Sequence, residues 1–228
     1  MTGGPARAVR REARIDLSAL ASNLDRALAV DDHVVLDARA NAYGHGLDRV
    51  AHIALERGVK TIRVSPAQSA IPGVRRSAIM TVASKGRPLV SAAAYGLDGV
   101  GASVMTLVGE VIAVKSAPAG VGVSYGYSYR TTDDTTLALV ALGYADGVPR
   151  LASNRAHVLV AGALHPLVGR VAMDQFVVDC GAGTPQVGDE AVLFGAGAAP
   201  ATEWAVHTGR TALELTAGIG SRVTRVYS

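Results

Sequence analysis

Residues 34–46, which read VVLDARANAYGHG, decide the fold of this 228-residue chain. An apolar run ends at Leu36 and leads directly into a polar, glycine-containing stretch. Parallel strands of α/β proteins deliver functional groups at their carboxyl ends, so this layout predicts a buried strand followed by a site. Arg39 begins that site, and its guanidinium stays protonated at ordinary pH. We expect it to bind an anion or to form a salt bridge with Asp37 or Asp48.

The elements around this stretch alternate between strand and helix. Apolar residues at helical spacing predict a helix over residues 19–29, with Ser18 as N-cap, and a second helix over residues 47–57 that ends at Gly58. Short apolar runs predict strands over residues 13–17, 34–38, 61–65 and 78–83. This rhythm indicates parallel α/β structure.

After Gly101 the pattern changes to short β-rich runs separated by glycine and proline turns. These runs predict an antiparallel β domain. The expected strands cover residues 103–115, 136–142, 156–160, 164–171, 175–179, 190–194 and 223–227, with helices over 201–208 and 211–217. We therefore divide the chain into a flexible leader (1–12), a shortened α/β domain (13–100) and a β domain (101–228).

Composition excludes several classes of protein. Hydrophobic residues make up 49% and charged residues 18%, which is not a disordered or fibrous composition. The net charge of +3 comes partly from arginines near the N-terminus, which we interpret as a solvated leader and not as a nucleic-acid site. No apolar run reaches the roughly 18 residues of a membrane helix.

Cysteine and histidine usage restricts the chemistry further. Cys180 is the only cysteine, so an intrachain disulfide is excluded and a cytoplasmic location is expected. His45 lies between two glycines, and we interpret it as a packing residue at a helix start. We found no cluster with metal-ligand spacing and predict no metal site.

Five blocks of sequence resemble one enzyme family. They are ANAYGHG (40–46), VSYG (123–126), GYADG (143–147), VGRVAMDQ (168–175) and GIGSRVTRVY (218–227). Their order and spacing resemble those of alanine racemases, isomerases of fold type III that depend on pyridoxal phosphate (PLP). The resemblance implies an eight-stranded α/β barrel followed by a β domain. It also implies a head-to-tail homodimer in which the β domain of one chain covers the barrel mouth of the other.

The resemblance also implies roles for individual residues. The position of Arg39 matches the lysine that holds PLP as a Schiff base, and Tyr125 matches the second catalytic base, supplied by the partner chain. Tyr43 and Tyr227 match the tyrosines that hold the PLP phosphate, and Arg87 matches the arginine that faces the pyridine nitrogen. Tyr144, Arg150 and Arg170 match residues that line the substrate entryway, and Met173 matches a position near the substrate carboxylate.

Three features depart from the family pattern. Arginine cannot form the Schiff base, because its guanidinium has no free amine lone pair. Residues 13–97 leave room for three or four strands, whereas a closed barrel takes roughly 200 residues or more. Leu89 replaces a glycine whose amide approaches the phosphate. Lys85 lies two residues before Arg87, so on a strand the two side chains would share a face. It is therefore the one lysine that could form the imine with PLP in place of the missing one.

We therefore expect an α+β fold, a truncated remnant of a TIM-like barrel followed by an antiparallel β domain. The expected function is that of a non-catalytic binding or scaffold homodimer without a cofactor, with a small anionic ligand as a further partner. The alternative is a PLP-dependent racemase that interconverts L- and D-alanine, with PLP held non-covalently or through Lys85. A third interpretation is a deleted fragment without a function of its own.

Overall fold

A four-stranded parallel sheet and a larger, mainly antiparallel sheet organise the described part of the chain, and a small two-stranded antiparallel sheet accompanies them. The computed structural model describes residues 8–82 and 88–228. The first elements are β1 (Arg11–Ile15), α1 (Leu17–Val30), β2 (Val35–Asp37), α2 (Arg39–Tyr43), α3 (Leu47–Glu56), β3 (Thr61–Arg63), β4 (Ile79–Met80) and β5 (Leu89–Val90).

Strands β4, β3, β2 and β5 form a four-stranded sheet in that order, with all neighbours parallel. Leu36 of β2 and Ile62 of β3 belong to the same buried core as Val50 and Ala54 of α3. Strand alternation places Asp37 on the opposite face from Leu36. Four strands agree with the three or four expected from the sequence.

The second half contains β6 (Met105–Ala117), β7 (Gly122–Val123), β8 (Tyr129–Arg130), β9 (Thr135–Val140), β10 (His157–Val160), β11 (Ala163–Val168), β12 (Phe176–Asp179), β13 (Glu190–Phe194), α4 (Ala201–Thr208), α5 (Ala212–Ala217) and β14 (Thr224–Tyr227). Six of these strands close an antiparallel barrel in the order β6-β9-β12-β11-β10-β13, because β13 pairs back onto β6. The predicted α+β fold class is confirmed.

The start of the chain differs from the expectation. Strand β1 begins at Arg11, inside the expected leader, because its backbone pairs with β6 (Arg11 with Gly109) and with β14. It therefore extends the larger sheet, although it precedes the α/β segment in sequence. The N-cap of α1 is Asp16 and not Ser18, since the Asp16 carboxylate accepts a hydrogen bond from the amide of Ala19 at 2.9 Å.

One continuous core joins the two sheets, with Ile15 and Tyr95 buried in the same cluster as Phe194 and Trp204. The turn that follows β2 packs against α5 and β14, so elements from both halves position it. In the described part of the chain, every helix is too short or too polar to cross a membrane.

Candidate functional site

The carboxylate of Asp37 is the centre of the candidate site. Its side chain is 1% exposed and accepts hydrogen bonds from Arg39 Nε (2.8 Å), Arg39 Nη2 (2.6 Å) and Tyr43 Oη (2.8 Å). Burial opposes ionisation of this carboxyl group, but the bonds from Arg39 and Tyr43 outweigh burial and hold the pKa of Asp37 below its usual value.

Arg39 and Tyr43 direct their polar atoms at this one carboxylate. Of the two salt bridges that the sequence left open for Arg39, the structure contains the one with Asp37. The Asp37 carboxylate raises the pKa of the Arg39 guanidinium. Burial and the bond to Asp37 likewise raise the pKa of the Tyr43 phenol. Arg39 and Tyr43, two of the residues that the family resemblance assigns to the cofactor, are thus hydrogen-bonded to the protein itself.

The turn after Asp37 has an unusual backbone. Ala40, Asn41, Ala42 and Tyr43 all have positive φ, between 49° and 58°. A left-handed turn of non-glycine residues costs on the order of 1–2 kcal/mol per residue. Such strain persists only where the surroundings determine the conformation.

Side chains from three directions hold this left-handed turn. The amide of Asn41 donates to Gln68 Oε1 at 3.2 Å, and Asn41 Oδ1 accepts from the amide of Leu47 at 2.8 Å. Arg225 of β14 donates from Nε to the carbonyl of Gly44 at 3.0 Å. The same guanidinium donates to the carbonyls of Ile219, Gly220 and Val223.

Two glycines allow other elements to approach the turn closely. A Cβ atom at Gly44 would lie 2.2 Å from the carbonyl oxygen of Thr216, and one at Gly46 would lie 1.9 Å from Tyr227 Oη. Both glycines also have positive φ. Tyr227 therefore meets the start of α3, where the guanidinium of Arg49 lies 5.8 Å from its ring centroid. Burial raises the pKa of Tyr227.

His45 and Tyr95 form the buried floor of the site. Their rings stack with centroids 4.5 Å apart. His45 Nδ1 donates to the carbonyl of Ala42 at 2.9 Å, and Tyr95 Oη donates to the carbonyl of Asp37 at 2.9 Å. Burial lowers the pKa of His45 to about 4, so the ring is neutral and acts as a packing residue, as the sequence suggested.

The other predicted site residues lie on the β domain. Tyr125 follows β7 and is 67% exposed. The guanidinium of Arg150 lies 5.8 Å from the ring centroid of Tyr144. The carbonyl of Met173 accepts a hydrogen bond from the amide that follows Tyr144, at 3.0 Å. Tyr144, Arg150 and Met173 thus form one surface group.

Arg170 lies beside the segment that carries Tyr125. The carbonyl of Arg170 accepts from Ser124 Oγ at 2.7 Å, and its guanidinium approaches Gly126. The predicted site residues that the structure describes therefore lie in two groups, one around Asp37 and one on the β domain.

The described lysines do not fit a Schiff base with PLP. Lys60 lies before the amino end of β3 and pairs with Asp32 at 3.0 Å, whereas Arg39 lies beyond the carboxyl end of the neighbouring parallel strand β2. Lys115 lies in β6 of the barrel. Lys85 and Arg87, for which imine and cofactor roles were expected, lie outside the described residues.

One group among the described residues has ligand atoms close enough for a metal. Asp31, Asp32 and His33 place such atoms within 4.8 Å of one another at the surface. Sequence reasoning overlooked this consecutive run. Asp32 is already bonded to the Lys60 ammonium, and the absence of a metal site stays a prediction.

Comparison with known proteins agrees with this architecture. The family model for the alanine racemase C-terminal domain matches residues 104–227, which is more than half of the chain. The chain belongs to the alanine racemase family. The predicted family is therefore confirmed.

Individual alanine racemases resemble the chain over most of its length. The alanine racemase of Streptomyces coelicolor is 46% identical over 177 residues, which cover 74% of this chain and 44% of that protein. Its solved structure superimposes with a TM-score of 0.87 and 27% identity, over 96% of this chain and 98% of that chain.

A more distant structure shows the same fold. The alanine racemase of Bartonella henselae, solved with covalently bound pyridoxal phosphate, gives a TM-score of 0.80 at 21% identity, over 97% of this chain and 100% of that chain. This chain spans about half the length of the curated relatives it matches, 44% and 53% for two of them.

Sequence reasoning missed part of the site. It named Asp37 only as a partner for Arg39, not as the acceptor of Tyr43, and it gave Arg225 no role. A buried carboxylate needs several donors, so an aspartate at the end of an apolar strand was the available signal. Nothing in the local sequence indicated Arg225, whose contacts with Gly44 span most of the chain.

Neutral His45 makes stability depend on pH. Its pKa of about 4 in the folded protein lies below the usual histidine value of 6.5, so the unfolded chain binds the proton first as pH falls. The stabilisation is complete above about pH 6.5 and decreases towards pH 4, by about 3 kcal/mol from this residue. Urea unfolding of the parent and of His45→Gln at pH 7 and pH 4 measures this. The variant should lose less stability on acidification, whereas exposed His52→Gln should behave like the parent; equal losses for all three proteins would contradict the assignment.

Proposed function

We propose that this protein is a non-catalytic member of the alanine racemase family that forms no covalent link to PLP and acts as a binding or scaffold protein. The observation that carries the proposal is the bidentate ion pair between Arg39 and Asp37. PLP, where bound as an imine, withdraws electrons from the substrate α-carbon, and that imine requires a primary amine. The described residues provide no such amine at the site.

The hydroxyl of Tyr43 supports the same proposal. In the family, this position is a phosphate ligand, but here the phenol donates to Asp37 at 2.8 Å. Moving it to a phosphate would leave the buried Asp37 carboxylate with fewer donors, which costs free energy. The Asp37 carboxylate therefore has its full set of donors without a cofactor.

A small anion is the ligand that suits Arg39. Its guanidinium uses Nε and Nη2 for Asp37, which leaves Nη1 without a partner among the described residues. The side chain is 42% exposed, so an anion can reach it from solvent. Arginine binds carboxylates and phosphates through its planar donors.

The shortened α/β barrel supports a role that does not require a closed α/β barrel. Four short parallel strands leave β4 and β5 as edges of their sheet, and such edges favour association. We place the division between the shortened domain (13–100) and the β domain (101–228) near Gly101, with β1 contributed to the larger sheet. A cytoplasmic location is consistent with a single, buried Cys180.

A homodimer is the assembly we propose. Tyr125 and Tyr127 are 67% and 63% exposed, and the surface group of Tyr144, Arg150 and Met173 lies on the same domain. Exposed aromatic and arginine side chains are enriched at protein interfaces. The family resemblance implies that this surface faces a partner chain.

The cofactor prediction is tested with PLP and borohydride. After incubation with PLP, the parent protein should show no imine absorbance band, and mass spectrometry after borohydride reduction should find no PLP fixed to a lysine. Arg39→Lys places a primary amine at the family position, and we expect a reduced adduct at residue 39 without alanine racemase activity.

Two outcomes of this experiment would contradict the proposal. An adduct on Lys85 of the parent, absent from Lys85→Arg, would favour the alternative racemase function with a relocated imine. Racemisation of alanine by the parent protein would establish that alternative directly.

The dimer prediction is tested by light scattering of the purified chain. We expect a mass twice that of the 23.3 kDa chain. Replacing Tyr125 and Tyr127 by serine should shift the mass towards that of a monomer, because exposed aromatic anchors are lost. Val187→Ser, at another exposed apolar position, should leave the mass unchanged. A stable monomer for the parent would contradict the dimer.

A further inference from the structure

A pocket lies on the outer surface of the six-stranded barrel, between strands β6, β9 and β12 and the segment around β7. Its cavity volume is about 270 Å³. The residues that matter for its chemistry are Ala113, Lys115, Val123, Leu137, Leu139 and Val177. We refer to it as the outer barrel pocket. It shares no residue with the Asp37 site.

Strand register explains why the floor of this pocket is apolar. Ala113 pairs with Leu139, and Lys115 pairs with Leu137. Leu139 also pairs with Val177 of β12. Directly paired residues project from the same face of a sheet. These five side chains therefore form one face of the barrel wall.

The intervening residues show that this face is the outer one. Ala138, Val140 and Val178 alternate with the pocket residues and are fully buried in the barrel core. The outer face of an antiparallel barrel normally carries polar side chains. Here it carries leucine and valine, and Val123 of β7 packs over part of it. The barrel wall thus presents a partly covered apolar recess.

Lys115 gives this recess a single positive charge. Its side chain is exposed, and it forms no ion pair with any residue of 8–82 or 88–228. No carboxylate lines the pocket. An apolar recess with one cation and no anion is complementary to a molecule with an apolar tail and one negative charge.

We propose that the outer barrel pocket binds a small monocarboxylic acid with an unbranched hydrocarbon tail. The carboxylate pairs with the Lys115 ammonium, and the tail lies on Leu137, Leu139 and Val177. The volume is below the roughly 300–1,000 Å³ of pockets for drug-sized ligands, which favours a short or medium chain. This binding does not rest on the Asp37–Arg39 ion pair, because no residue that lines the pocket belongs to the Asp37 network.

Titration of the full-length protein with sodium octanoate, followed by methyl NMR, tests the proposal. We expect saturable shifts of the Leu137, Leu139 and Val177 methyl signals, with a dissociation constant of about 1–10 mM. Octanol should bind about three- to five-fold more weakly, since it lacks the charge. Octylammonium should not saturate the pocket.

Two variants and a control separate charge from tail binding. Lys115→Gln should weaken octanoate about three- to five-fold and leave octanol unchanged. Leu139→Trp fills the recess and should abolish both, with folding checked by circular dichroism. Lys60→Gln removes a lysine elsewhere and should have no effect.

Absence of saturable octanoate shifts would overturn the proposal. Shifts confined to other residues, equal binding of octylammonium, or an unchanged octanoate affinity in Lys115→Gln would overturn it as well.

Discussion

The buried carboxylate of Asp37 is the group on which the N-terminal half depends. It receives three hydrogen bonds from Arg39 and Tyr43, and its own strand is one of the two inner strands of the parallel sheet. A charge placed in the core is tolerated only when it is paired and hydrogen-bonded. This requirement fixes the side chains of Arg39 and Tyr43 at the two ends of the left-handed turn.

The second support of the turn comes from the C-terminal end of the chain. Arg225 bonds to the carbonyl of Gly44 and to three carbonyls of its own loop. Since β14 pairs with β1, the strand that carries Arg225 is anchored in the larger sheet. The strained turn is thus clamped between Asp37 on one side and the β domain on the other. This arrangement explains how backbone strain is retained although the barrel is incomplete.

Much of the fold could be predicted from the sequence, because its signals are local. Apolar runs and glycine turns identified three of the four parallel strands and most strands of the β domain, and the motifs identified the family. The left-handed turn at residues 40–43 could not be predicted, since alanine disfavours positive φ, asparagine adopts it only as a single residue, and the supports of the turn are distant in sequence. The pairing of β1 with β6 could not be predicted either, because it depends on contacts between residues far apart in sequence. At the site, Arg39 and Tyr43 were predicted as site residues. Their shared acceptor, Asp37, was only one of two salt-bridge partners predicted for Arg39.

The central claim is that Asp37 and Arg39 act as one unit that holds the site in place. A double-mutant cycle with Asp37→Asn, Arg39→Gln and the combined variant measures this directly through free energies of unfolding in urea. The account predicts that each single substitution destabilises the protein and that the two are coupled by roughly 1–3 kcal/mol. Additive effects, with a coupling below about 0.5 kcal/mol, would contradict it.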